Sequence, residues 1–466
     1  MPVGKASASE ALEYLGHLAR FGMRLGLERM EAILERLGHP ERRFGVVHVA
    51  GTNGKGSTAA MVAAAAGEAG VRTGLYTSPH LVRFNERIVV DKAPVTDEVL
   101  ADAYRAVRAA VEEMAVGEAP TQFEFATAMA FWAFARARVE LAVVEVGLGG
   151  RLDATNVVRP EVCVITPLGL DHTEVLGDTL AAIAGEKAGI IKPGADVVTP
   201  VQPDEAAAVI RSRAASVGAA LFEVVGPPLS EGPAMDVPLP AGSESVYRFT
   251  PRRADVRGGL LDLVTPEGER IADLEVGLLG LHQLQNAAVA AAALHRLRAR
   301  GWPITEQGLR TGLRQVVWPG RLQVVGRRPW VVIDGAHNPA AAGMLADSFR
   351  TLFGGLPRVL VVGMLKEKDV QGVLRALVAP GATVIATRAR SSRTEPASPE
   401  ELAAVALALG AGRAEAVVPA ADALRRALEL ATPDDTVAVA GSLYLAGELL
   451  ADLKVDVTAR NVLPPG

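Results

Sequence analysis

The sequence predicts an α/β protein with two doubly wound, mainly parallel sheets, the larger one first. Continuously apolar segments such as ELAVVEV and EVCVIT alternate with helical periodicity, which is typical of strands buried on both faces of a parallel sheet. A second alternation of this kind begins at about residue 322. The length of 466 residues also exceeds the size at which a single core stops growing. Two domains are therefore expected.

The N-terminal domain is expected to span residues 1–300. Apolar residues at helical spacing over residues 8–37, broken near Gly22 and Gly26, predict an interrupted helix. Prolines, glycines and short alternating stretches over residues 220–280 indicate a small antiparallel β insertion. Between them, further helices are predicted at about 56–69, 96–115 and 124–137, and strands at segments ending near Tyr76, Glu145 and Thr166.

A linker is predicted over residues 301–321, because two Trp-Pro pairs and isolated glycines occur there. Residues 322–466 then predict a smaller domain, in which the strands WVVID, RVLVVGML, ATVIAT and TVAVAGS are separated by helices. Ligands of open parallel sheets bind outside the carboxyl ends of the strands. The loops after Tyr76, Glu145 and Thr166 are therefore expected to gather at one site.

Composition excludes several classes of protein. Hydrophobic residues make up 49% and charged residues 22%, with a net charge of −5 and no long basic stripe, so nucleic acid and an anionic membrane are not expected partners. Cys163 is the single cysteine and cannot form an intrachain disulfide. The N-terminus lacks an apolar signal segment, and the alanine-rich runs are too short to span a bilayer. We expect a cytoplasmic monomer.

The most informative segment is VVHVAGTNGKGS, in which β-branched residues lead directly into a glycine-rich turn. Gly51, Gly54 and Gly56 let the backbone approach an anion, and N–H groups at the start of a helix attract phosphate. Lys55 adds a full charge, and the hydroxyl of Ser57 or Thr58 is placed to reach Mg²⁺. The turn therefore suits a polyphosphate.

The strict phosphate-loop pattern G-x-x-x-x-G-K-[ST] fails here at two positions. Val49 replaces the first glycine, and Gly56 separates Lys55 from Ser57. An ordinary glycine-rich strand-to-helix turn is thus the alternative. Phosphate binding is favoured because the predicted order of strand, glycine-rich turn and helix is the order found in phosphate loops.

Two candidate metal ligands follow predicted strands. Glu145 closes a buried strand, where an acidic residue beside a phosphate loop commonly binds Mg²⁺, although a helix cap or a loop salt bridge is the alternative. His172 lies in the loop after the next strand, and its pattern alone favours a structural role over a metal ligand. Ser78, in TSPHL, carries a weaker signal.

Other candidates lie farther along the chain. Lys187 is on a predicted helix that ends near Gly194; its neighbours are Ala, Gly and Ile, so it is either an ordinary solvated lysine or a buried one with a lowered pKa. Arg321, in the linker, is placed to clamp a phosphate. Asp334, His337 and Asn338 lie between a strand and a helix, where an Asp or Asn cap of the helix is the alternative role.

Taken together, these segments resemble the folylpolyglutamate synthase and dihydrofolate synthase family, relatives of the Mur peptide ligases. The resemblance extends over nearly the whole chain, in family order. It is carried by LGLERM, GTNGKGS, TSPHLVRFNERI, FEFAT, EVGLGGRLDATN, LDHTEVLG, EKAGIIKPG, HQLQNAAVA, WPGRL, DGAHNP and TVAVAGSLYL. It implies a phosphate-loop ATPase-type N-terminal domain and a Rossmann-like C-terminal domain.

The resemblance also implies roles for individual residues. ATP would be held by Thr52, Asn53, Gly54, Lys55, Gly56, Ser57, Asn286, Arg321 and Asp334. Two Mg²⁺ ions are implied, with Ser78, Glu145 and His172 as ligands. Lys187 resembles the family's carboxylated lysine, whose carbamate binds the second ion, and His337 would lie near the reacting groups. K⁺ is a further candidate cation.

The pteroyl contacts that the resemblance implies form three groups: Gly22, Met23, Arg24 and Leu25; Thr121, Gln122, Phe123 and Glu124; and Leu152, Asp153 and Ala154. Some bifunctional members carry an acidic residue immediately before LGL, where this chain has Met23 and Arg24. Use of dihydropteroate is therefore less firmly implied than use of ATP.

The implied reaction is ATP-dependent addition of L-glutamate to a folate or dihydropteroate carboxylate through an acyl phosphate. A bifunctional folylpolyglutamate and dihydrofolate synthase is favoured, and a monofunctional folylpolyglutamate synthase or a Mur-type ligase of UDP-linked peptides is the alternative. FEFAT and LGLERM argue against the peptide ligase. A non-catalytic nucleotide-binding module would not need Glu145, His172 or Lys187.

Overall fold

The computed structural model describes residues 7–19, 22, 24–114, 119–227, 245–390 and 394–455. These residues form two α/β units, each built on a mainly parallel sheet, which confirms the predicted fold class. Met23 and residues 228–244 of the predicted β insertion lie outside the described residues.

The strands of the larger sheet are β1 (Gly45–Ala50), β2 (Thr73–Tyr76), β3 (Ile88–Val90), β4 (Ala93–Pro94), β5 (Leu141–Glu145), β6 (Val162–Ile165), β7 (Asp196–Pro200), β8 (Ala220–Val225), β9 (Val246–Asp255), β10 (Gly258–Val264) and β11 (Arg270–Val276). Their order across the sheet is β11-β10-β9-β8-β7-β6-β1-β5-β2-β3-β4. β1 is central and runs parallel to both β5 and β6. Its register places Val49 opposite Glu145, so the loops after these strands begin at the same edge.

The region expected to form a small β insertion contains β8 to β11. β10 pairs antiparallel with β9 and β11, as the alternating pattern indicates. β8, however, runs parallel to both β7 and β9. These strands therefore extend one edge of the larger sheet.

The helices of the large-sheet unit are α1 (Ala8–Leu18), α2 (Glu28–Arg36), α3 (Lys55–Glu68), α4 (Asp97–Glu112), α5 (Gln122–Arg136), α6 (Thr173–Leu176), α7 (Leu180–Ala188), α8 (Asp204–Val217), α9 (Leu281–Ala299) and α10 (Glu306–Gln315). The predicted interruption of the first helix is the segment between α1 and α2, where Gly22 and Gly26 have φ of +61° and +125°. α7 ends at Ala188 instead of near Gly194, because a tight turn over residues 189–191 leaves the helix.

Both faces of the large sheet are covered. α3 and α9 pack on one face over Val47 and Val49, while the helices α1, α2, α4 and α5 cover the opposite face beside Val46. α10 forms within the predicted linker and packs closely on α3, since a Cβ on Gly312 would lie 2.2 Å from Ala65 Cα. The alanine-rich sequence of α3 therefore reflects burial between sheet and helices.

The smaller sheet has the order β12-β13-β17-β14-β15-β16. β12 is antiparallel to β13, and the remaining pairs are parallel. Its elements are β12 (Gln323–Arg327), β13 (Trp330–Ile333), α11 (Pro339–Phe353), β14 (Val359–Val362), α12 (Val370–Leu377), β15 (Thr383–Ala386), α13 (Pro399–Ala408), β16 (Arg413–Ala416), α14 (Ala420–Leu430), β17 (Thr436–Ala440) and α15 (Leu443–Asp452). We call this the small-sheet unit.

The apolar faces of these helices have partners in the core. α11, α12 and α13 cover one face of the smaller sheet, and α14 and α15 cover the other. In the described part of the chain, no helix combines the length and apolarity needed to cross a membrane.

Candidate active site

The phosphate loop, residues 51–54, joins β1 to α3 and packs tightly against its neighbours. Gly51 and Gly54 have φ of +148° and +85°, where residues with a Cβ are strained. A Cβ would also lie 1.8 Å from Thr166 Oγ1 at the first position and 2.5 Å from Asn286 Oδ1 at the second. Both glycines are therefore required by space as well as by backbone conformation.

The loop is held by hydrogen bonds to the segment after β6 and by Lys55, the first residue of α3. The N–H groups of Thr52 and Asn53 donate to Pro167 O at 3.1 and 3.2 Å. Lys55 Nζ donates to the carbonyls of Gly51 and Thr52 at 3.1 and 3.2 Å. The ammonium group thus lies over the loop, where it can pair with a phosphate.

A cavity of about 220 Å³ opens between the two units, in front of this loop. We call it the interdomain cavity. Every predicted nucleotide-binding, metal-binding and catalytic residue lines it: Thr52, Asn53, Gly54, Lys55, Gly56, Ser57, Ser78, Glu145, His172, Lys187, Asn286, Arg321, Asp334 and His337. The structure therefore brings together residues that are separated by up to 285 positions in the sequence.

Glu145 ends β5 inside this cavity. It is 5% exposed, and its Oε2 accepts a hydrogen bond from the backbone N–H of Ser78 at 3.1 Å. Burial raises the pKa of Glu145, and the positive charge of Lys55 opposes that rise. A buried carboxylate that lines the cavity is an oxygen ligand of the kind that Mg²⁺ uses, and the charge of Lys55 favours its ionised form.

These donors fit Mg²⁺ as part of its ligand set, which water and phosphate oxygens would complete. Within the described ranges, no group of three or more His, Cys, Asp or Glu side chains is arranged to hold a metal. Mg²⁺ commonly uses one or two protein oxygens together with water and phosphate oxygens. The carboxylate of Glu145 and the hydroxyl of Ser78 match that requirement, while His172 is half-exposed and burial lowers its pKa.

Lys187 is buried rather than solvated. Its side chain projects from α7, only 5% of the residue is exposed, and Nζ donates to Gly51 O at 2.8 Å. Burial, reinforced by the charge of Lys55, lowers the pKa of Lys187 to about 7. A large share of this amine is therefore neutral near pH 7, and a neutral amine is the form that reacts with CO₂.

The other wall of the cavity comes from the acid loop, residues 334–338, which follows β13. The carboxylate of Asp334 accepts hydrogen bonds from the N–H groups of Leu322 and Ala336, each at 2.7 Å. His337 donates from Nδ1 to Gly335 O at 3.0 Å, so the neutral ring keeps its lone pair on Nε2. Burial lowers the pKa of His337 and favours that neutral form.

Four side chains join the two units next to the cavity, and we call them the domain clasp: Asn53, Asp171, Asn338 and Lys368. Lys368 Nζ lies 2.9 Å from Asp171 Oδ1, and Asn338 Nδ2 donates to Asp171 Oδ2 at 3.1 Å and to Asn53 Oδ1 at 3.2 Å. Burial alone would raise the pKa of Asp171, but the hydrogen bond and charge of Lys368 bring it well below its usual range.

The predicted pteroyl contacts that the structure describes are absent from the lining of the cavity. Thr121 caps α5, and the carboxylate of Glu124 accepts from the Thr121 N–H at 2.7 Å and pairs with Arg29 at 2.8 Å. Phe123 packs against Gly147, since a Cβ there would lie 2.5 Å from the Phe123 ring. Glu124 thus already stabilises a helix start, while Phe123 remains partly exposed.

The remaining members of that set are dispersed. Arg24 donates to Ala119 O at 3.4 Å, and Leu25 is 58% exposed. Asp153 is buried and bonds to backbone N–H groups, while Leu152 and Gln122 are partly exposed. Gly22, Thr121 and Ala154 complete the residues that the structure describes. Their role as a pteroyl site stays a prediction.

Three residues at this site were not selected from the sequence. Gln283 donates to Ser57 Oγ at 3.2 Å and accepts from Asn286 at 3.0 Å, and the partly buried His282 lies beside Ser348 of α11. Both precede Asn286 in HQLQNAAVA, a segment that contributes to the family resemblance, so the sequence did point to this region. Lys368 follows β14 in a loop that no phosphate-binding pattern marks.

Comparison with known proteins agrees with this geometry. Residues 49–294 match the Mur ligase middle domain, and residues 320–443 match the Mur ligase glutamate ligase domain. The folylpolyglutamate synthase of Lacticaseibacillus casei is 36% identical over 448 residues, covering 94% of this chain and 96% of that protein. The dihydrofolate synthase/folylpolyglutamate synthase of Mycobacterium tuberculosis is 38% identical, covering 90% and 85%.

Solved structures show the same fold. Mycobacterium tuberculosis folylpolyglutamate synthase complexed with ADP superposes with a TM-score of 0.84 at 33% identity, over 96% of this chain and 99% of that one. E. coli FolC in complex with DHPP and ADP gives 0.82 at 30% identity, over 97% and 99%. The chain belongs to the Mur ligase family and, within it, to the folylpolyglutamate synthase and dihydrofolate synthase group.

Proposed function

We propose that this chain is an ATP-dependent ligase that joins L-glutamate to a carboxylate of a folate or of dihydropteroate. The observation that carries the proposal is the interdomain cavity, which the phosphate loop, Glu145, Lys187 and the acid loop line together. ADP is bound by two of the similar proteins, and DHPP by one of them. ADP matches the phosphate-binding features of the interdomain cavity, and the place of the pteroyl group stays a prediction.

The reaction is written as two displacements. An oxygen of the substrate carboxylate attacks the γ-phosphorus of ATP, and the bond to the leaving ADP oxygen breaks. The amine nitrogen of glutamate then attacks the carbonyl carbon of the acyl phosphate, an amide bond forms, and inorganic phosphate and a proton leave. This scheme needs no covalent enzyme nucleophile, so positioning and charge stabilisation supply the rate.

Several residues of the chain serve these steps. Lys55 neutralises the β- and γ-phosphates from the phosphate loop, and Arg321 does so from the other side of the cavity. Asn286 and Asp334 position the remainder of the nucleotide. His337, with Nδ1–H bonded to Gly335 O, presents Nε2 as an acceptor for the proton of the attacking amine.

Glu145 and Ser78, with His172 beside them, would hold one Mg²⁺, and carboxylated Lys187 would hold a second. When bound, the metal supplies Lewis-acid stabilisation of the phosphoryl oxygens. A neutral, buried Lys187 amine supports formation of the carbamate, and an extra carboxylate mass on a peptide containing this residue would test it. The K⁺ ion stays a prediction.

The deciding experiment supplies labelled L-glutamate and ATP with dihydropteroate or tetrahydrofolate in parallel. Ligation of both acceptors supports a bifunctional enzyme, and ligation of tetrahydrofolate alone supports a monofunctional folylpolyglutamate synthase. A parallel reaction with UDP-linked peptides serves as the control. Glutamate-independent ADP release, or transfer only to the peptides, would overturn the proposal.

A further inference from the structure

A chain of buried side chains connects β1 with the segment that follows β5. His48, at the middle of β1, is fully buried, and its Nε2 lies 2.9 Å from Thr155 Oγ1. Thr155 in turn bonds to Asp153 through both its hydroxyl and its N–H group. His48 and Thr155 are both 0% exposed, so neither can touch a ligand.

Asp153 connects Thr155 to two residues that line the interdomain cavity. Its Oδ2 accepts from the N–H groups of Gly147 and Leu148 at 3.1 and 3.0 Å, while Oδ1 accepts the two bonds from Thr155. A carboxylate has about four lone-pair positions, and all four are in use. Gly147 and Leu148 line the interdomain cavity, whereas Asp153 does not.

The direction of the hydrogen bonds follows from the donors available. Because the Thr155 hydroxyl donates to Asp153, its oxygen accepts from His48 Nε2–H. Nδ1 of His48 is buried without a partner among the described residues, and a proton there would be a buried, unbonded donor. The neutral His48 tautomer with its proton on Nε2 is therefore the one that fits.

The segment held in this way, which we call the glycine loop, comprises residues 146–150. It begins directly after Glu145 and separates the interdomain cavity from Phe123. The backbone turns at its third and fourth residues, Leu148 and Gly149, and Gly149 has a φ of +68°. A shift of this loop would therefore disturb Glu145 on one side and the predicted pteroyl contact on the other.

We propose that His48 and Thr155 are positioning residues, which orient the Asp153 carboxylate so that it fixes the glycine loop between the nucleotide and the pteroyl group. Neither residue touches a substrate, and both act through Asp153. The kinetic part of this inference rests on the proposed function. Its structural part concerns the loop alone.

Thr155→Val removes the hydroxyl at nearly constant volume, and Thr155→Ser keeps it, which makes a matched pair. The valine variant loses the hydrogen bond from the Thr155 hydroxyl to the Asp153 carboxylate, so kcat/KM for ATP should fall roughly tenfold or more. The serine variant should restore most of that loss. Hydrogen exchange of the backbone amides of Gly147 and Leu148 should accelerate only in the valine variant.

His48→Met removes the Nε2–H donor, whereas His48→Gln can present an amide N–H in a similar place. The methionine variant should resemble Thr155→Val, and the double variant should lose little more than either single one, because both changes break one chain. Additive effects would overturn the proposal. So would a lowered melting temperature with unchanged exchange at the glycine loop and unchanged kcat and KM for ATP.

Binding of ADP by calorimetry separates this inference from the proposed function. It requires no folate and no glutamate, and Thr155→Val should weaken it while Thr155→Ser should not. If the wild-type chain binds ADP but never ligates glutamate, the proposed function fails and the loop measurements still decide the role of His48 and Thr155. Equal ADP affinity and equal loop exchange in all four variants would refute that role.

Discussion

The phosphate loop and the acid loop both join a parallel strand to a helix at the interdomain cavity, but their helices begin differently. Among the described residues, no side chain caps α3, whose N-cap is Gly54. α11, in contrast, is capped by Asn338, whose side chain accepts from the Ala341 N–H at 2.8 Å. The first N–H groups of α3 are thus left for an anion, while those of α11 are partly satisfied by the protein.

Because of this difference, the phosphate loop and the acid loop are expected to interact with ligands through different groups. The phosphate loop works through backbone donors and one lysine, so its glycines matter as much as its side chains. The acid loop works through the side chains of Asp334, His337 and Asn338. Mutations should therefore act through conformation and charge on the first wall and through lost hydrogen bonds on the second.

The largest effect is expected at Lys55. Lys55→Ala should lower kcat about 10²-fold or more, because one preorganised positive charge at the phosphates is lost. Among the described residues, its side chain bonds to the backbone oxygens of Gly51 and Thr52, so the melting temperature should change little. Glutamate-dependent ADP release measures the rate. A rate near that of the wild type would remove the phosphate loop from the chemistry.

The next test replaces Gly54 of the phosphate loop and, for comparison, Gly343 inside α11. Gly54→Ala should weaken ADP binding by more than tenfold, since strain at φ +85° and a Cβ 2.5 Å from Asn286 Oδ1 displace the loop. Gly343→Ala, inside α11, meets no atom within 4 Å and should stabilise the fold by about 0.5–1 kcal/mol. Calorimetry and thermal unfolding give the two values. Equal behaviour of both variants would contradict the comparison.

A tenfold effect of pH is expected through Lys187, whose pKa is lowered from 10.5 to about 7. The neutral amine needed for carboxylation falls about tenfold between pH 8 and pH 6, and activity without added bicarbonate should follow it. Between pH 7 and pH 10.5 the unfolded chain binds one more proton here, so stability rises with pH across that window. Lys187→Ala should flatten both dependences, and short carboxylic acids should restore part of its activity.

On the acid loop, Asp334→Asn should raise KM for ATP several-fold. The amide leaves one of the N–H groups of Leu322 and Ala336 without an acceptor, at a cost of roughly 1–3 kcal/mol in the free energy of unfolding. Asp347→Asn, on the exposed side of α11, is the matched control and should change stability by less than about 0.5 kcal/mol. Similar losses in both variants would argue against a special role for the acid loop.

The smallest effect is expected in the domain clasp. Lys368→Met removes the ion pair with Asp171, but Asn338 still donates to that carboxylate. A loss of about 1 kcal/mol in the free energy of unfolding and a few-fold lower kcat/KM are expected. Arg350→Met, whose ion pair with Asp347 is exposed, should have almost no effect. Thermal unfolding and steady-state kinetics provide both comparisons.

The sequence predicts the two sheets well, and with them the meeting of the strand-end loops at one site, because both depend on local patterns. Apolar runs mark β5 and β6, and the loops after them meet the phosphate loop because parallel strands end at one edge. Cys163, expected at a buried strand position, is fully buried in β6. The fold class follows from these runs alone.

Contacts between distant segments could not be predicted in the same way. α10 occupies part of the predicted linker because Gly308 and Gly312 fit against α3, which only the folded chain reveals. Lys368 faces Asp171 across 197 residues of sequence. The hydrogen bonds that link His48 to Asp153 likewise require β1 to pack against Thr155. The apolar pattern of the β1 sequence does not indicate that contact.

Gly51 O accepts hydrogen bonds from two lysines, Lys55 at 3.1 Å and Lys187 at 2.8 Å. The charge of the first helps to keep the second neutral. An anionic nucleotide beside Lys55 would weaken that influence and favour protonation of Lys187. If Lys187 is carboxylated as proposed, nucleotide binding and CO₂ capture would oppose each other through these two lysines, and the coupling would be reciprocal.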